Sequence, residues 1–312
     1  MNPTLSQFAC VVYLASASLL APAHAESVEK ADPLEIRSVE DRVLTLPSDK
    51  RHTLWVAGDY EPSDGGVDVL VHFHGSPRVV RESTHSAGLN CVVISVNYGG
   101  LSSVYRRPFS KDRKLFQSIL SEALIQLRSQ SDFADDVKWR RVAVSSFSAG
   151  FGAVREILKT PRYFERVDGI YLVDSLYCGY VGDGTDQVET GLVHPGLMQD
   201  FVRYAQESAN GEKVMIVTHC DGPTPGYAST RETADYLLEK LKLEPQSVDT
   251  IVPGRLPTQV DDFRLYRQAS RKGFSLYGSP GGNETDHVKH LQHMDYWLPK
   301  LPLAKQQQDL AQ

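Results

Sequence analysis

Apolar residues follow two alternating rhythms along this chain. Short runs at 67–73, 91–96, 142–144, 169–173, 213–218 and 274–277 are dominated by Val, Ile, Leu and aromatic residues. Runs of that length and composition suit strands buried on both faces of a sheet. Between them, Leu115, Ile119, Leu120, Ala123, Leu124 and Leu127 recur at helical spacing, as do Ala153, Val154, Ile157 and Leu158. Helices are also predicted over 196–209, 229–241 and 287–301, the second opened by Ser229 and Glu232 as a capping box. Upstream, 35–45 and 51–57 alternate polar with apolar residues around Pro47-Ser48-Asp49-Lys50, which predicts an antiparallel hairpin. Residues 245–269 show little periodicity and read as an insertion. Strands alternating with helices from Val67 onward imply an α/β fold, a mostly parallel sheet with helices on both faces. Parallel order brings every strand's C-terminal end to one edge, where ligands bind.

The length of 312 residues, with no internal repeat and no second boundary, favours one domain over 26–312. Residues 8–23 are apolar and small, without Lys or Arg, and end at Ala23-His24-Ala25. That is the pattern of a cleaved signal peptide over 1–25, so the mature chain is expected to be exported, periplasmic or secreted, with no integral membrane segment. A net charge of −6 without a long basic run argues against nucleic-acid binding and against a polybasic membrane anchor. Of the four cysteines, Cys10 would leave with the signal, and Cys91, Cys178 and Cys220 would remain.

Chemistry concentrates where the strand at 142–144 meets its helix, in Ser146-Phe147-Ser148-Ala149-Gly150. A serine there either caps the helix or sits at the apex of a tight strand-to-helix turn. The second arrangement needs small residues two before and two after the apex, a condition met by Ser146 and Gly150. The pentapeptide resembles the G-x-S-x-G nucleophile elbow of α/β-hydrolases, with Ser146 in place of the first glycine. The resemblance extends over about 35–301 and implies a Ser-His-Asp triad with Ser148 as nucleophile. For the acid it offers Asp174, which ends the run 169–173, and in reserve Asp221, in a Gly/Pro-rich loop. For the base it offers His287, at the junction of the loop 278–286 with a helix, and in reserve His290. The oxyanion hole it implies is made by the backbone N–H groups of Ala149 and Ser76, the latter in His74-Gly75-Ser76-Pro77. The function implied is cleavage of a small-molecule or acyl ester through an acyl-enzyme, without a cofactor. An amidase or peptidase would use the same triad, and a non-catalytic binding protein on this fold is the rival that Ser146 favours.

Two further patterns invite a reading. His72 and His74 share one strand face, and His287, His290 and His293 share one helix face, as metal ligands do. Neither an HExxH motif nor a CxxC pair accompanies them, so no metal is expected. In the hydrolase fold the strands ending near Val173 and Thr218 are parallel neighbours. The resemblance therefore places Cys178 and Cys220 at one sheet edge, within reach of a disulfide in an oxidising compartment.

Overall fold

The computed structural model describes residues 41–63, 66–182, 191–259 and 262–307. The expected signal peptide lies outside these residues. All of them belong to one compact unit, Ser38–Gln312. No helix among the described residues is long and apolar enough to cross a membrane.

The chain opens with the expected hairpin, β1 (Arg42–Thr45) and β2 (His52–Val56), paired antiparallel. Six strands then run parallel: β3 (Val67–Phe73), β4 (Val92–Val96), β5 (Trp139–Phe147), β6 (Gly169–Val173), β7 (Val214–His219) and β10 (Phe274–Gly278). The last lies beyond β8 (Gln246–Val252) and β9 (Phe263–Arg271) in sequence. All ten strands form one sheet in the order β1-β2-β4-β3-β5-β6-β7-β10-β9-β8. Every residue of β3, β4, β6 and β10 is buried, which is why those runs are mostly apolar; the buried Asp68 and His72 of β3 are bonded to Arg140 and Ser145. This is the α/β arrangement expected, a mixed and mostly parallel sheet with an N-terminal antiparallel hairpin.

The helices are α1 (Pro77–Ser86), α2 (Ser102–Lys111), α3 (Leu115–Arg128), α4 (Phe151–Leu158), α5 (Pro161–Arg166), α6 (Pro195–Asn210), α7 (Thr230–Leu241) and α8 (Glu284–Gln292). From β3 the chain crosses to β4 on one side, then returns past β3 to β5 and continues outward through β6 to β7. Crossovers between parallel strands are right-handed, so this reversal puts α1 on one face and α2 to α6 on the other. The packing agrees: α1 touches α8, whereas α4 touches α2, α5 and α6. The reversal also makes the gap between β3 and β5 the topological switch point, the place at which open α/β sheets bind ligands.

Three expectations are corrected. Residues 245–269 are no insertion: β8 and β9 extend the sheet antiparallel beyond β10. Phe263, Leu265, Arg267 and Ala269 alternate on the buried side of β9, and the charge of Arg267 broke the apolar pattern. Arg267 is tolerated there because Asp235 on α7 pairs with it at 2.5 Å and His219 accepts its Nε–H at 2.8 Å. The last helix starts earlier and is shorter than expected, running from Glu284 to Gln292, so that His287 lies in its first turns and not at its junction with the loop; single 3-10 turns follow at Met294–Tyr296 and Leu298–Lys300. The Cys178–Cys220 disulfide is not formed, and Cys91, Cys178 and Cys220 are thiols. The loop after β6 leaves the sheet edge, where Cys178 bridges to Ala228 and points its thiol at the His194 carbonyl, 3.6 Å away.

Candidate active site

The register of the parallel strands sets the site. Phe73 of β3 lies beside Ser146 of β5, Phe147 beside Val173 of β6, and Val173 beside Thr218 of β7. The next residue in three of these chains, His74, Ser148 and Asp174, has a left-handed backbone, with φ of 71°, 47° and 40°. Such angles are costly for residues with a Cβ and persist where the surroundings over-determine them. Three of them along one sheet edge mark where strain is held.

Ser148 opens a single 3-10 turn, Ser148–Gly150, which leads into α4. The turn is possible because Gly150 lies against β3: a Cβ there would stand 2.1 Å from the Phe73 carbonyl oxygen. Gly152 likewise lets α4 approach α2, since its Cβ would meet the Ser102 carbonyl oxygen at 2.4 Å. The position taken by Ser146 does have room for a hydroxyl. Ser146 Oγ hydrogen-bonds Ser175 Oγ at 2.8 Å, and Ser175 Oγ donates to the Ser148 carbonyl at 2.9 Å. The departure from glycine thus ties the elbow to the residue after Asp174.

Asp174 is fully buried, and its carboxylate meets three donors. Oδ2 accepts from His287 Nδ1 at 2.6 Å. Oδ1 accepts the Cys220 N–H at 3.1 Å and the Thr230 hydroxyl. Burial alone would raise this carboxyl, but neighbouring His290 and the hydrogen bonds from His287 and Thr230 hold it well below the usual carboxylate range. With Asp174 ionised, His287 carries its proton on Nδ1, leaving the Nε2 lone pair to accept another. His287 packs its ring against Phe147 at 4.5 Å, the residue before Ser148. Phe147 in turn stacks on His74 at 6.0 Å. Among the described residues His287 is bonded to Asp174 and not to Ser148.

The reserve residues are engaged elsewhere. Asp221 accepts from Arg231 at 3.0 Å and from the Tyr266 hydroxyl at 2.7 Å. His290 is buried, shares a hydrogen bond with Ser279 at 2.9 Å, and is driven by burial to a pKa of about 4. The other histidines weighed as ligands do not converge either. His72 contacts Ser145 Oγ at 2.7 Å and the His74 carbonyl at 2.5 Å, His74 contacts the Tyr105 hydroxyl at 2.9 Å, and His293 contacts the Lys289 carbonyl at 3.1 Å.

Ser76 is the N-cap of α1, and Pro77 is its first residue. Among the described residues no group accepts the Ser76 N–H. Asn97 holds this loop by donating to the Gly75 carbonyl at 2.8 Å, and the Tyr105 hydroxyl holds Asn97 at 3.0 Å. Gly75, at φ 103°, lies against Leu291 of α8, so the loop touches the helix that carries His287. Ala149 occupies the first turn after the apex, where helical N–H groups lack intrahelical partners. Sequence reasoning missed Thr230, Ser175, Asn97 and Tyr105. Thr230 alone had a signal, as the first residue after the capping serine, and nothing local shows that it faces Asp174.

Acid should expose the cost of this burial. His72, His219 and His290 are pushed down by burial to about 3, about 4 and about 4. The unfolded chain therefore takes up protons first, and stability falls as pH drops below about 6.5, by about 1.4 kcal/mol per histidine per pH unit until the folded pKa is reached. Asp174 adds to the loss below about pH 4, because its folded pKa is lowered. The midpoint of urea unfolding should decline steadily between about pH 7 and about pH 4.5. An unchanged midpoint over that range would show that these rings are not buried and neutral.

No family model and no curated protein matches the chain. Among solved structures it is similar to S-formylglutathione hydrolase of Staphylococcus aureus, with 10% identity, TM-score 0.42, and coverage of 83% of this chain and 94% of that one. An ester hydrolase from the metagenome of Lake Arreo matches at 14% identity and TM-score 0.41, covering 86% and 84%. Dienelactone hydrolase of Anabaena variabilis matches at 10% identity and TM-score 0.39, covering 83% and 97%. The reading of the site rests on its own geometry.

Proposed function

We propose that the chain is a serine hydrolase that cleaves an ester through an acyl-enzyme. The observation that carries the reading is the 2.6 Å bond between His287 Nδ1 and buried Asp174, one ring stack away from a serine at φ 47°. In this reading Ser148 Oγ attacks the carbonyl carbon while His287 Nε2 takes its proton. Asp174 keeps the ring in the Nδ1–H tautomer and stabilises the imidazolium that forms. The N–H groups of Ser76 and Ala149 take the negative charge that develops on oxygen. His287 returns the proton to the departing alcohol, and water then repeats the sequence on the acyl-enzyme.

Ester hydrolysis is preferred over mere binding because Ser146, the departure that favoured a non-catalytic protein, is accommodated by a hydrogen bond from its hydroxyl to Ser175. A fluorophosphonate probe tests the proposal directly. Stoichiometric labelling that maps to Ser148 is the expected result. A chain that stays unlabelled, or is labelled on another serine, would remove Ser148 as nucleophile.

A further inference from the structure

The acid-base pair has a third neighbour that ester cleavage does not use. One ligand atom each from Asp174, Cys220 and His287 lies within 4.8 Å of the other two. Asp174 and Cys220 are buried, and His287 is partly open, its side chain 21% exposed. We propose that these three side chains form a binding site for a soft divalent cation such as zinc, and that its occupancy switches the hydrolase off. The binding is independent of the serine-hydrolase reading, whereas the inhibition rests on it.

The donor set is that of zinc. Thiolate, imidazole and carboxylate bind it at about 2.3, 2.0 and 2.1 Å, usually as a tetrahedron. Donors at those lengths stand about 3.3–3.6 Å apart on the ion. The present spacing is compatible with that range: the three ligand atoms lie within 4.8 Å of one another, and His287 Nδ1 and Asp174 Oδ2 need to part from 2.6 Å to admit the ion. Asp174 need not give up its other partners, because the Cys220 N–H and Thr230 both bond Oδ1, leaving Oδ2 for the ion. The strand β7 brings Cys220 to this place, one residue past His219, whose ring Arg267 holds from behind. A fourth position would face the partly open His287 side and take water.

The proton balance explains the inhibition. The Cys220 thiol releases one proton to solvent, and sulfur takes its place on the ion. The imidazole stays neutral: it binds through Nδ1, and the Nδ1 proton moves to Nε2. That is the nitrogen which must accept the Ser148 proton, so the metal-bound tautomer has no base to offer. Cysteine makes the difference, because an Asp-His pair alone supplies only two donors.

Calorimetric titration of the full chain with zinc chloride in a non-chelating buffer measures binding without reference to turnover. One equivalent should bind to the unaltered chain. Cys220→Ser, which retains the backbone N–H bond to Asp174, should weaken binding at least tenfold, as should His287→Ala. Cobalt(II) should give a thiolate charge-transfer band with the unaltered chain and none with Cys220→Ser, with circular dichroism showing both chains folded. Failure of zinc to bind at millimolar concentration, or an affinity unchanged by both substitutions, would overturn the site. If zinc binds as expected but does not slow ester cleavage in proportion to occupancy, the switch is overturned and the site stands. A chain that binds zinc yet cleaves no ester contradicts the hydrolase reading instead.

Discussion

Ser148→Ala is expected to reduce kcat by about 10³- to 10⁶-fold, the range seen when a nucleophile that works as part of a unit is removed. The fold should hardly notice. Ser148 has φ 47° in a turn set by Gly150 against β3 and by the Ser175 bond to the Ser148 carbonyl. Alanine at the same angle keeps both constraints, and only the hydroxyl is lost. Ser146→Ala is the control that separates chemistry from architecture. The Ser146 hydroxyl is buried and bonded to Ser175, so its removal should cost about 1 kcal/mol of stability and leave most of the turnover. Steady-state kinetics and thermal melting of the two variants check this. The reverse result, with Ser148→Ala active and Ser146→Ala dead, would move the nucleophile two residues upstream.

Asp174→Asn should lower kcat by about 10⁴-fold, with KM changed far less. Oδ1 of Asp174 receives two donors, the Cys220 N–H and the Thr230 hydroxyl, while Oδ2 faces His287 Nδ1. Asparagine would keep its oxygen toward the two donors and turn its NH₂ toward the imidazole. His287 Nδ1 must then accept, its proton moves to Nε2, and the ring can no longer take the Ser148 proton. Asp221→Asn should change kcat by less than about fivefold, because that carboxylate serves a partly exposed group with Arg231 and Tyr266. Measuring both under saturating substrate decides between them. A mild Asp174→Asn beside a crippled Asp221→Asn would mean that His287 swings to the other loop during turnover.

The sequence was most informative where burial left no choice of residue. The runs that became β3 and β6 coincide with their strands to the residue, since a strand covered on both faces is mostly apolar, Asp68 and His72 of β3 being held by Arg140 and Ser145. It was least informative where polar groups found partners far along the chain. Helix α1 buries Ser83 and Thr84, and α2 carries Pro108 and buries only Tyr105 and Phe109, so neither shows a clear apolar stripe. Residues 246–252 and 263–271 look irregular until Arg267 is seen paired with Asp235 and His219.

Within the site the same division holds. The sequence by itself determined that a serine stands between small residues at a strand-helix junction, that an aspartate ends the following strand, and that a histidine stands near the start of the last helix. Local sterics dictate those features, and they are written in neighbouring residues. Only the tertiary structure decided that His287 lies 2.6 Å from Asp174 while Asp221 is held by Arg231. It also decided that Thr230 and the Cys220 N–H hold the far oxygen of that carboxylate. It parted Cys178 from Cys220, and it set the second beside Asp174 and His287. The physical reason is that strand register and loop path determine which groups meet at the sheet edge, and both are settled by packing between elements distant in sequence: the partners of Asp174 lie 46, 56 and 113 positions away.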